Sequence, residues 1–334
     1  MNTEFLSTHT PQLFAEAVQR AVVLLRAGEV IALPTETVYG LAANALNENA
    51  VAKVFQIKGR PPHNPLIVHV AGLAMARRCV SGFPALAERL AEAFWPGPLT
   101  LVLPCVDQIP ANVTAGGNTV AIRWPAHPFI QAVIRECGFP LAAPSANLSN
   151  RVSPTNAEHV RAQLDAKIPL IVDGGQSQVG IESTVLDLSV SPPVLLRPGM
   201  IHAESLSAVA QEICLVNSQA GGALRSPGQL PKHYSPNAKL WVWDWDDEAG
   251  LCARVAALGL EPASVQILAH TRIPSSEAFA GISVIPHDAE AFARALYAEL
   301  HRCDDAGVKY IIVEKPPDLP EWAGILDRLR RASA

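Results

Sequence analysis

The sequence has little charge, few aromatic side chains and no long hydrophobic run. Charged residues make up 17% and aromatic residues 6% of the 334 residues, and 31 acidic side chains outnumber 26 basic ones. The formal net charge of -5 excludes a strongly basic protein that coats nucleic acid. Apolar runs such as 30–33 and 99–103 are far shorter than the roughly 18 residues of a membrane-spanning helix. Residues 1–20 also lack a signal-peptide pattern, so we expect a cytoplasmic protein without membrane contact.

Cysteine and histidine are too scattered to indicate a metal centre or a disulfide framework. The six cysteines lie tens of residues apart without a C-x-x-C pair, and the ten histidines show no ligand spacing. We therefore expect reduced thiols and no protein-ligated metal.

The common nucleotide and hydrolase motifs are absent from the sequence as well. No Gly-Lys dipeptide occurs, which excludes the phosphate loop whose lysine follows its last glycine. The patterns G-x-G-x-x-G, H-E-x-x-H and G-x-S-x-G are also missing. Polar residues just past strand ends remain as candidates, because open α/β sheets bind ligands there.

Apolar strand patterns alternate with helical patterns along the chain. Several connections are too short for the crossover helix that parallel strands require, so the pattern predicts an α/β fold with a mixed sheet. A Gly-, Pro- and Ser-rich stretch after residue 216 predicts a linker. From residue 239 onward, the alternation indicates a small three-layer α/β domain.

Two segments place polar groups beside apolar strands. Residues 34–41 (P-T-E-T-V-Y-G-L) follow a buried strand and fit either a ligand-binding loop or a capped turn before the next helix. Residues 58–69 (K-G-R-P-P-H-N-P-L-I-V-H) hold two cations in a proline-rich turn. That turn suits phosphate, but it could also be a solvated basic turn.

Arg123 lies inside an otherwise apolar strand pattern. Arginine is rarely buried without an anionic partner. It is therefore either a clamp for a substrate carboxylate or one half of an internal ion pair with Glu36, Asp173 or Glu182.

Three further segments are weaker signals. Residues 143–154 (A-P-S-A-N-L-S-N-R-V-S-P) can bind phosphate or cap a helix. Residues 180–185 and 195–199 each set polar groups beside an apolar strand. The pair His233 and Tyr234 lies in the predicted linker and either contacts a ligand or anchors the linker on a domain surface.

Taken in order, these segments resemble the YrdC-type core of threonylcarbamoyl-AMP synthases. The similar runs are P-T-E-T-V-Y-G-L-A, K-G-R-P-P-H-N-P-L-I-V-H-V, W-P-G-P-L-T, T-V-A-I-R-W-P, A-P-S-A-N, E-S-T-V and L-L-R-P-G. The resemblance covers about residues 12–202. The run S-P-G-Q-L-P-K-H-Y-S-P and the α/β segment after it resemble the long, two-domain form of the family. The resemblance implies a twisted, open mixed sheet with a concave cavity, a linker over 203–238 that reaches the active site, and a small Rossmann-like domain over 239–334.

The resemblance also implies a reaction, a nucleotidyl transfer. L-threonine, bicarbonate and ATP would give threonylcarbamoyl-AMP and pyrophosphate, the first step in making N6-threonylcarbamoyladenosine in tRNA. Mg2+ would enter with ATP, and a threonylcarbamoyl transferase complex would take the product. Weak contact with tRNA is a further expectation.

Site residues follow from the resemblance position by position. Threonine would be held by Thr37, His69, Arg123, Ser183 and the backbone near Ala143. Lys58 and Arg60 would be catalytic by offsetting phosphate charge. The expected ATP-binding residues are Lys58, Arg60, Asn64, Thr119, Ser145, Asn147, Ser153 and Arg197, with His233 and Tyr234 closing over the nucleotide.

One position departs from the family pattern. The expected S-A-N-x-S-G reads S-A-N-L-S-N, with Asn150 in place of glycine. Asparagine also tolerates a left-handed backbone, so the change affects loop detail and not activity.

Two other functions stay open from the sequence. One is a carbamoyl-transfer enzyme that also makes an adenylate, although its longer relatives carry zinc-binding cysteine motifs that are missing here. The other is a non-catalytic RNA-binding or ribosome-maturation module, which the net charge disfavours.

Overall fold

A computed structural model describes residues 2–215, 225–228, 233–275 and 279–334. The chain divides into two compact units. The first consists of Met1–Ser149 and Ser153–Gln229, and the second of Asn150–Val152 and Leu230–Ala334. Within the described ranges, no helix is long and apolar enough to cross a membrane.

The first unit alternates strands and helices. Local sequence explains the helix ends: Thr10 caps the first helix by accepting a hydrogen bond from Leu13 N, and the helix that ends at Lys58 stops at Gly59, whose φ is 60°. In chain order, the elements are β1 (Glu4–Ser7), α1 (Pro11–Arg26), β2 (Ile31–Leu33), β3 (Gly40–Asn44), α2 (Glu48–Lys58), β4 (Ile67–His69), α3 (Leu73–Cys79), α4 (Ala85–Phe94), β5 (Leu99–Pro104), α5 (Ala111–Thr114), β6 (Thr119–Arg123), α6 (Pro128–Cys137), β7 (Leu141–Ala142), α7 (Ala157–Leu164), β8 (Leu170–Asp173), β9 (Thr184–Asp187), β10 (Val194–Arg197), α8 (Ala203–Ala210) and β11 (Cys214–Leu215).

The strands of the first unit form one mixed sheet. Among the described residues the order is β1-β8-β2-β3-β7-β4-β6-β5-β9-β10-β11. β4 pairs with β6 in parallel, β5 with β6 antiparallel, and β5 with β9 in parallel. This pairing confirms the predicted α/β class and the mixed sheet.

The sheet is covered on both faces, as strand β2 shows. Ile31 and Leu33 pack in a cluster with residues of α1 and α6. Ala32, between them, packs in a second cluster that contains Val51 and Val54 of α2. Neighbouring side chains of a strand point to opposite faces, so both faces of the sheet are buried at β2, and polar side chains in such a place need partners.

The second unit is a smaller α/β unit. Its strands pair in parallel in the order β12-β15-β13-β14 among the described residues. This arrangement confirms the predicted Rossmann-like second domain. Its elements are β12 (Lys239–Trp243), α9 (Glu248–Ala257), β13 (Val265–Ala269), β14 (Gly281–Val284), α10 (Ala289–Asp305), β15 (Tyr310–Glu314) and α11 (Ala323–Ala332), with short 3-10 turns at Pro262–Ser264 and Pro320–Trp322.

The segment over 203–238, which the sequence suggests as a linker, begins with regular structure. Leu206 of α8 is fully buried in a core of the first unit, and β11 pairs with β10. This helix forms because its apolar side chains have a core to pack against. Residues 216–224, with the Gly-rich part of the predicted linker, and 229–232, within S-P-G-Q-L-P-K-H-Y-S-P, lie outside the described residues.

Candidate functional site

A row of polar side chains crosses three neighbouring strands of the first unit. His69 and Arg123 are register partners at the ends of the parallel strands β4 and β6. Partners in a parallel pair lie on the same face of the sheet, so both side chains project to one side. On β5, Thr100 Oγ1 lies 2.7 Å from Ser183 Oγ, next to β9. The row therefore joins four polar groups that are far apart in sequence.

Arg123 is the centre of this row. It is 3% exposed and directs its guanidinium at three partners. Arg123 Nη1 donates to Thr37 Oγ1 at 2.9 Å, Nε donates to Gly97 O at 3.2 Å, and Nη2 lies 2.6 Å from Glu36 Oε1. Of the three anions considered from the sequence, Glu36 is the one that forms the internal ion pair.

The Glu36–Arg123 pair is a close contact between buried, opposite charges. Beyond this contact, neither oxygen of Glu36 nor Nη2 of Arg123 has another close hydrogen-bond partner among the described residues. Burial by itself would raise the pKa of Glu36, but the Arg123 charge outweighs it and holds that pKa below its ordinary value. The site thus contains a buried carboxylate and a buried guanidinium with unused hydrogen-bonding capacity, a charge pattern that suits a small zwitterion.

The loop that carries Glu36 is fixed by its own hydroxyl groups. Thr35 Oγ1 donates to Val38 O at 2.6 Å, accepts from Thr37 N at 3.2 Å and lies 2.9 Å from Thr37 Oγ1. The loop leads into β3, which pairs antiparallel with β2. The sequence-based alternative of a capped turn before a helix is therefore wrong, because the Gly-Leu-Ala-Ala-Asn segment extends the sheet.

His69 is neutral in this setting. It is 2% exposed, and its Nδ1 has no hydrogen-bond partner in the described part of the chain. Burial, reinforced by the positive charge of Arg123, lowers the pKa of His69 to about 3. A neutral imidazole beside a guanidinium can accept a hydrogen bond from a ligand without adding charge.

Ser183 is held by Arg197 at the end of the row. Arg197 Nη2 donates to Ser183 Oγ at 3.1 Å, and Nε donates to Ser183 O at 3.0 Å. Its Nη1 reaches Pro227 O at 3.3 Å. Arg197, expected among the ATP residues, thus connects a residue of the expected threonine set with residues 225–228, where Arg225 also pairs with Asp187 at 2.8 Å.

A second polar cluster surrounds the end of α2. Lys58 Nζ donates to Ser145 O and Asn147 O, both at 2.5 Å, and lies 3.3 Å from Asn147 Oδ1. Arg60 donates to Asn64 O at 3.1 Å and to Pro65 O at 2.8 Å. The alternative of a solvated basic turn is wrong, because Lys58 and Arg60 are both buried.

Two residues of this cluster have unusual properties, Lys58 in its pKa and Asn64 in its hydrogen bonding. Burial, followed by the charge of Arg60, holds the pKa of Lys58 well below its ordinary value. Asn64 is fully buried, yet neither its Nδ2 nor its Oδ1 has a hydrogen-bond partner within the described residues. A buried amide with no partner is costly unless a bound molecule satisfies it.

The remaining expected residues lie around these two clusters. Ser153 Oγ donates to Glu182 Oε1 at 2.5 Å, and Ala143 N donates to Ile67 O at 3.1 Å. Thr119 begins β6 and therefore lies about 13 Å along the strand from Arg123, so the structure does not bring these two together. Asn150 has a φ of 66°, which confirms that asparagine takes a left-handed conformation here.

His233 and Tyr234 belong to the second unit. Their rings meet edge to face with centroids 4.0 Å apart. Tyr234 is fully buried and has a φ of 61°.

Sequence reasoning missed two side chains of these clusters. Thr100 was not singled out, although a hydroxyl in the run Leu99-Thr100-Leu101 is a signal that could have marked it. Glu182 was considered only as a partner of Arg123, whereas it pairs with Ser153. The described residues contain no group of three or more His, Cys, Asp or Glu side chains arranged to hold a metal ion.

Two protein-family models match the chain, one for each part. The model described as "Telomere recombination", of the Sua5, YciO and YrdC proteins, matches residues 23–199. The model described as "Threonylcarbamoyl-AMP synthase, C-terminal domain" matches residues 201–334.

Curated relatives are similar over nearly the whole chain. The threonylcarbamoyl-AMP synthase of Bacillus subtilis is 42% identical over 342 residues, covering 99% of this chain and 95% of the relative. The enzyme of the same name from Pyrococcus abyssi is 39% identical over 322 residues, covering 95% of this chain and 94% of the relative.

Solved structures of the Pyrococcus abyssi protein Sua5 match the fold. The crystal structure of its complex with L-threonine has a TM-score of 0.90 and 36% identity, covering 100% of this chain and 98% of that chain. A second structure, with alanines in place of an adjacent His and Tyr, has a TM-score of 0.88 and 36% identity, covering 99% and 96% of the two chains.

Proposed function

The chain belongs to the threonylcarbamoyl-AMP synthase family in its two-domain form, and from this premise we propose that it joins L-threonine, bicarbonate and ATP. The products are threonylcarbamoyl-AMP and pyrophosphate, and the adenylate is the intermediate for modifying tRNA. The observation that carries this proposal is the buried row together with Thr37, which bonds Arg123. His69, Arg123, Ser183 and Thr37 offer a guanidinium, an imidazole and two hydroxyls to one small polar ligand.

Threonine is the ligand we assign to this row. Arg123 Nη2 would bind the substrate carboxylate, since arginine recognises carboxylates with charge-assisted bonds. The hydroxyls of Thr37 and Ser183 and the neutral ring of His69 would orient the amine and the side chain, with the backbone near Ala143 closing the set. Support comes from the unused hydrogen-bonding capacity of Arg123 and Glu36, and from the crystal structure of the Pyrococcus abyssi protein in complex with L-threonine.

ATP is the ligand we assign to the cluster around Lys58. Lys58 and Arg60 would offset phosphate charge, and the unpartnered amide of Asn64 would bond to the nucleotide. Both cations now donate to main-chain carbonyls, so ATP would meet a preformed loop. The other residues proposed to contact ATP are Thr119, Ser145, Asn147, Ser153 and Arg197, with His233 and Tyr234 closing over the nucleotide.

Mg2+ is proposed to arrive with ATP. Mg2+ usually keeps several of its waters and is held by substrate phosphates with one or two carboxylates. When bound, it would neutralise charge on the phosphate oxygens.

The proposed chemistry needs no covalent enzyme intermediate. Bicarbonate takes up a proton and loses water to give carbon dioxide. The threonine amine attacks this carbon dioxide and releases a proton, which gives a carbamate. A carbamate oxygen then attacks the α-phosphorus of ATP in line, and the bond to the β-phosphate oxygen breaks as pyrophosphate leaves. The residues of this chain contribute by orienting the two substrates and stabilising the developing charge.

The product is a labile mixed anhydride, so it must reach the next enzyme before water hydrolyses it. We propose that a threonylcarbamoyl transferase complex accepts it and that any contact with tRNA is weak, given the net charge of -5.

Release of pyrophosphate tests the function. The assay contains ATP and Mg2+ and omits threonine and bicarbonate in turn, with serine as the competing amino acid. Release that needs both substrates and favours threonine is expected. Release with carbamoyl phosphate in their place would indicate carbamoyl transfer, and a folded, ATP-binding protein that releases none would indicate the RNA-binding module.

A further inference from the structure

Tyr234 is held in an uncommon backbone conformation. Its φ of 61° is in the left-handed region, which residues other than glycine rarely adopt unless the surroundings impose it. The ring is 1% exposed. The surroundings of Tyr234 must therefore fix both its backbone and its ring.

Helix α11 supplies two of the contacts around Tyr234, and the ring of Tyr297 on α10 lies 6.0 Å from the Tyr234 ring, centre to centre. The guanidinium carbon of Arg328 lies 5.4 Å from the centre of the Tyr234 ring, within range of a cation–π interaction. His233 N donates to Arg331 O, one turn further along the same helix, at 3.2 Å. On the other side of the tyrosine, Ser235 N donates to Asn150 O at 2.9 Å.

Arg328 can lie beneath the ring because Asp327 neutralises it. Arg328 is completely buried, and its Nη1 lies 3.0 Å from Asp327 Oδ2. Burial alone would raise the pKa of Asp327, but the charges of Arg328 and Arg331 outweigh it and lower that pKa. A buried guanidinium without this carboxylate would be strongly unfavourable.

A buried charge pair is a poor way to gain stability alone. Apolar side chains of similar volume at such positions often stabilise a fold as well or better. A guanidinium adds something that an apolar chain does not, namely a directed attraction for the face of an aromatic ring. The pair is therefore better explained by the position it imposes on Tyr234.

We infer that Asp327 and Arg328 are positioning residues for the His233–Tyr234 pair. Arg328 fixes the position of the Tyr234 ring, and Asp327 fixes the position of Arg328. The left-handed backbone at Tyr234 then orients His233. The inference rests on the proposed function, in which the pair closes over ATP. It gives the second unit a role in the reaction, although neither Asp327 nor Arg328 contacts substrate.

The test measures pyrophosphate release by the full chain as ATP is varied. Arg328→Met should lower kcat/KM for ATP about 10-fold, mostly through KM, because a directed ring contact is lost. Arg328→Lys, which keeps a cation, should recover part of this loss, and Asp327→Asn should resemble Arg328→Met. Threonine affinity, measured by calorimetry without ATP, should not change in any of the three variants.

Arg330→Ala is the matched control. Arg330 also bonds Asp327, at 2.8 Å, but its side chain is 69% exposed. Its loss should leave kcat/KM for ATP within about twofold of wild type, since exposed ion pairs contribute little.

A double-variant cycle with Tyr234→Ala decides the inference. If Arg328 acts through Tyr234, Arg328→Met should add no further loss in the Tyr234→Ala background. Independent, multiplying losses would overturn it, as would an equal loss of threonine affinity. If Arg328→Met does not fold, Arg328→Lys takes its place in the cycle. A Tyr234→Ala variant with wild-type activity would instead refute the proposed function of the His–Tyr pair itself.

Discussion

Glu36 Oε1 lies 2.6 Å from Arg123 Nη2, and both side chains are buried in the first unit. The contact gives Arg123 two roles, and a single substitution removes both of them at once. Removing the arginine takes away a proposed ligand for the threonine carboxylate, and it also leaves a buried carboxylate without its counter-charge. Experiments on this site must separate binding from folding.

Arg123→Ala should weaken threonine binding roughly 10- to 150-fold, because a lost charge-assisted hydrogen bond costs about 1.5–3 kcal/mol. It should also lower the free energy of unfolding by about 3–5 kcal/mol, since Glu36 stays buried and unpaired. Calorimetry with threonine and urea denaturation measure the two effects.

The double variant Glu36→Gln with Arg123→Met separates the effect on threonine binding from the effect on stability. Without a buried charge, this protein should recover much of the lost stability. Threonine affinity should nevertheless stay low. Normal threonine binding by the stable double variant would show that Arg123 serves only as the partner of Glu36.

Acid should destabilise the protein through His69. The pKa of His69 is about 3 in the folded protein, against 6.5 for an ordinary histidine. Between these values the unfolded chain binds the proton more tightly, so the stabilising contribution is complete above pH 6.5 and is lost as the pH falls toward 3. The slope from this group reaches about 1.4 kcal/mol per pH unit.

Urea denaturation of His69→Asn at several pH values between 7 and 4 tests the predicted acid destabilisation. The variant should lose less free energy of unfolding on acidification than the wild type does. His63→Asn, at an exposed histidine in the preceding loop, should keep the wild-type slope. Equal slopes in all three proteins would contradict a neutral, buried His69.

Lys58→Met should lower the free energy of unfolding by about 2–4 kcal/mol, because the carbonyls of Ser145 and Asn147 stay buried and both lose their hydrogen-bond donor. The matched control is Lys53→Met on the same helix. Lys53 also donates to a carbonyl, Gly28 O at 2.9 Å, but its side chain is 42% exposed. The control should cost about 1 kcal/mol or less. Similar losses of unfolding free energy in both variants would argue that the buried hydrogen bonds of Lys58 do not stabilise the fold.

Asn150→Val should lower the free energy of unfolding by about 1–2 kcal/mol, because a β-branched residue is strained at a φ of 66°. Asn150→Gly restores the residue of the family pattern and should stay within about 1 kcal/mol of wild type. Thermal unfolding of the two variants provides the comparison. A valine variant as stable as the glycine variant would show that the loop relaxes to another conformation.

Local patterns in the sequence were sufficient for most elements of the fold. The apolar pattern around Arg123 predicted a strand there, which is observed as β6. The alternation from residue 239 onward predicted a small α/β domain, which is observed to begin with β12. β3 was missed because Gly40 to Asn44 is short and alanine-rich, with little β propensity of its own. Its pairing with β2 and β7 makes it a strand.

The site was less predictable because its contacts are long-range. The sequence left three possible anions for Arg123, and only the loop between β2 and β3 brings Glu36 to it. Thr100 meets Ser183 across 83 positions of sequence. That contact depends on β5 lying between β6 and β9, an order that periodicity does not determine. Which residues titrate abnormally follows from the same burial, so it too required the structure.

The assignment of Asn150–Val152 to the second unit has a consequence for the covalent chain. Arg151 forms a β-bridge with Ser235, although the residues on both sides of this three-residue stretch belong to the first unit. No single cleavage of the backbone can therefore release both units whole. A protease cut or a genetic split after β11 would carry these three residues away with the wrong fragment. When two such halves are recombined, residues 150–152 on one fragment would have to pair again with Ser235 on the other fragment.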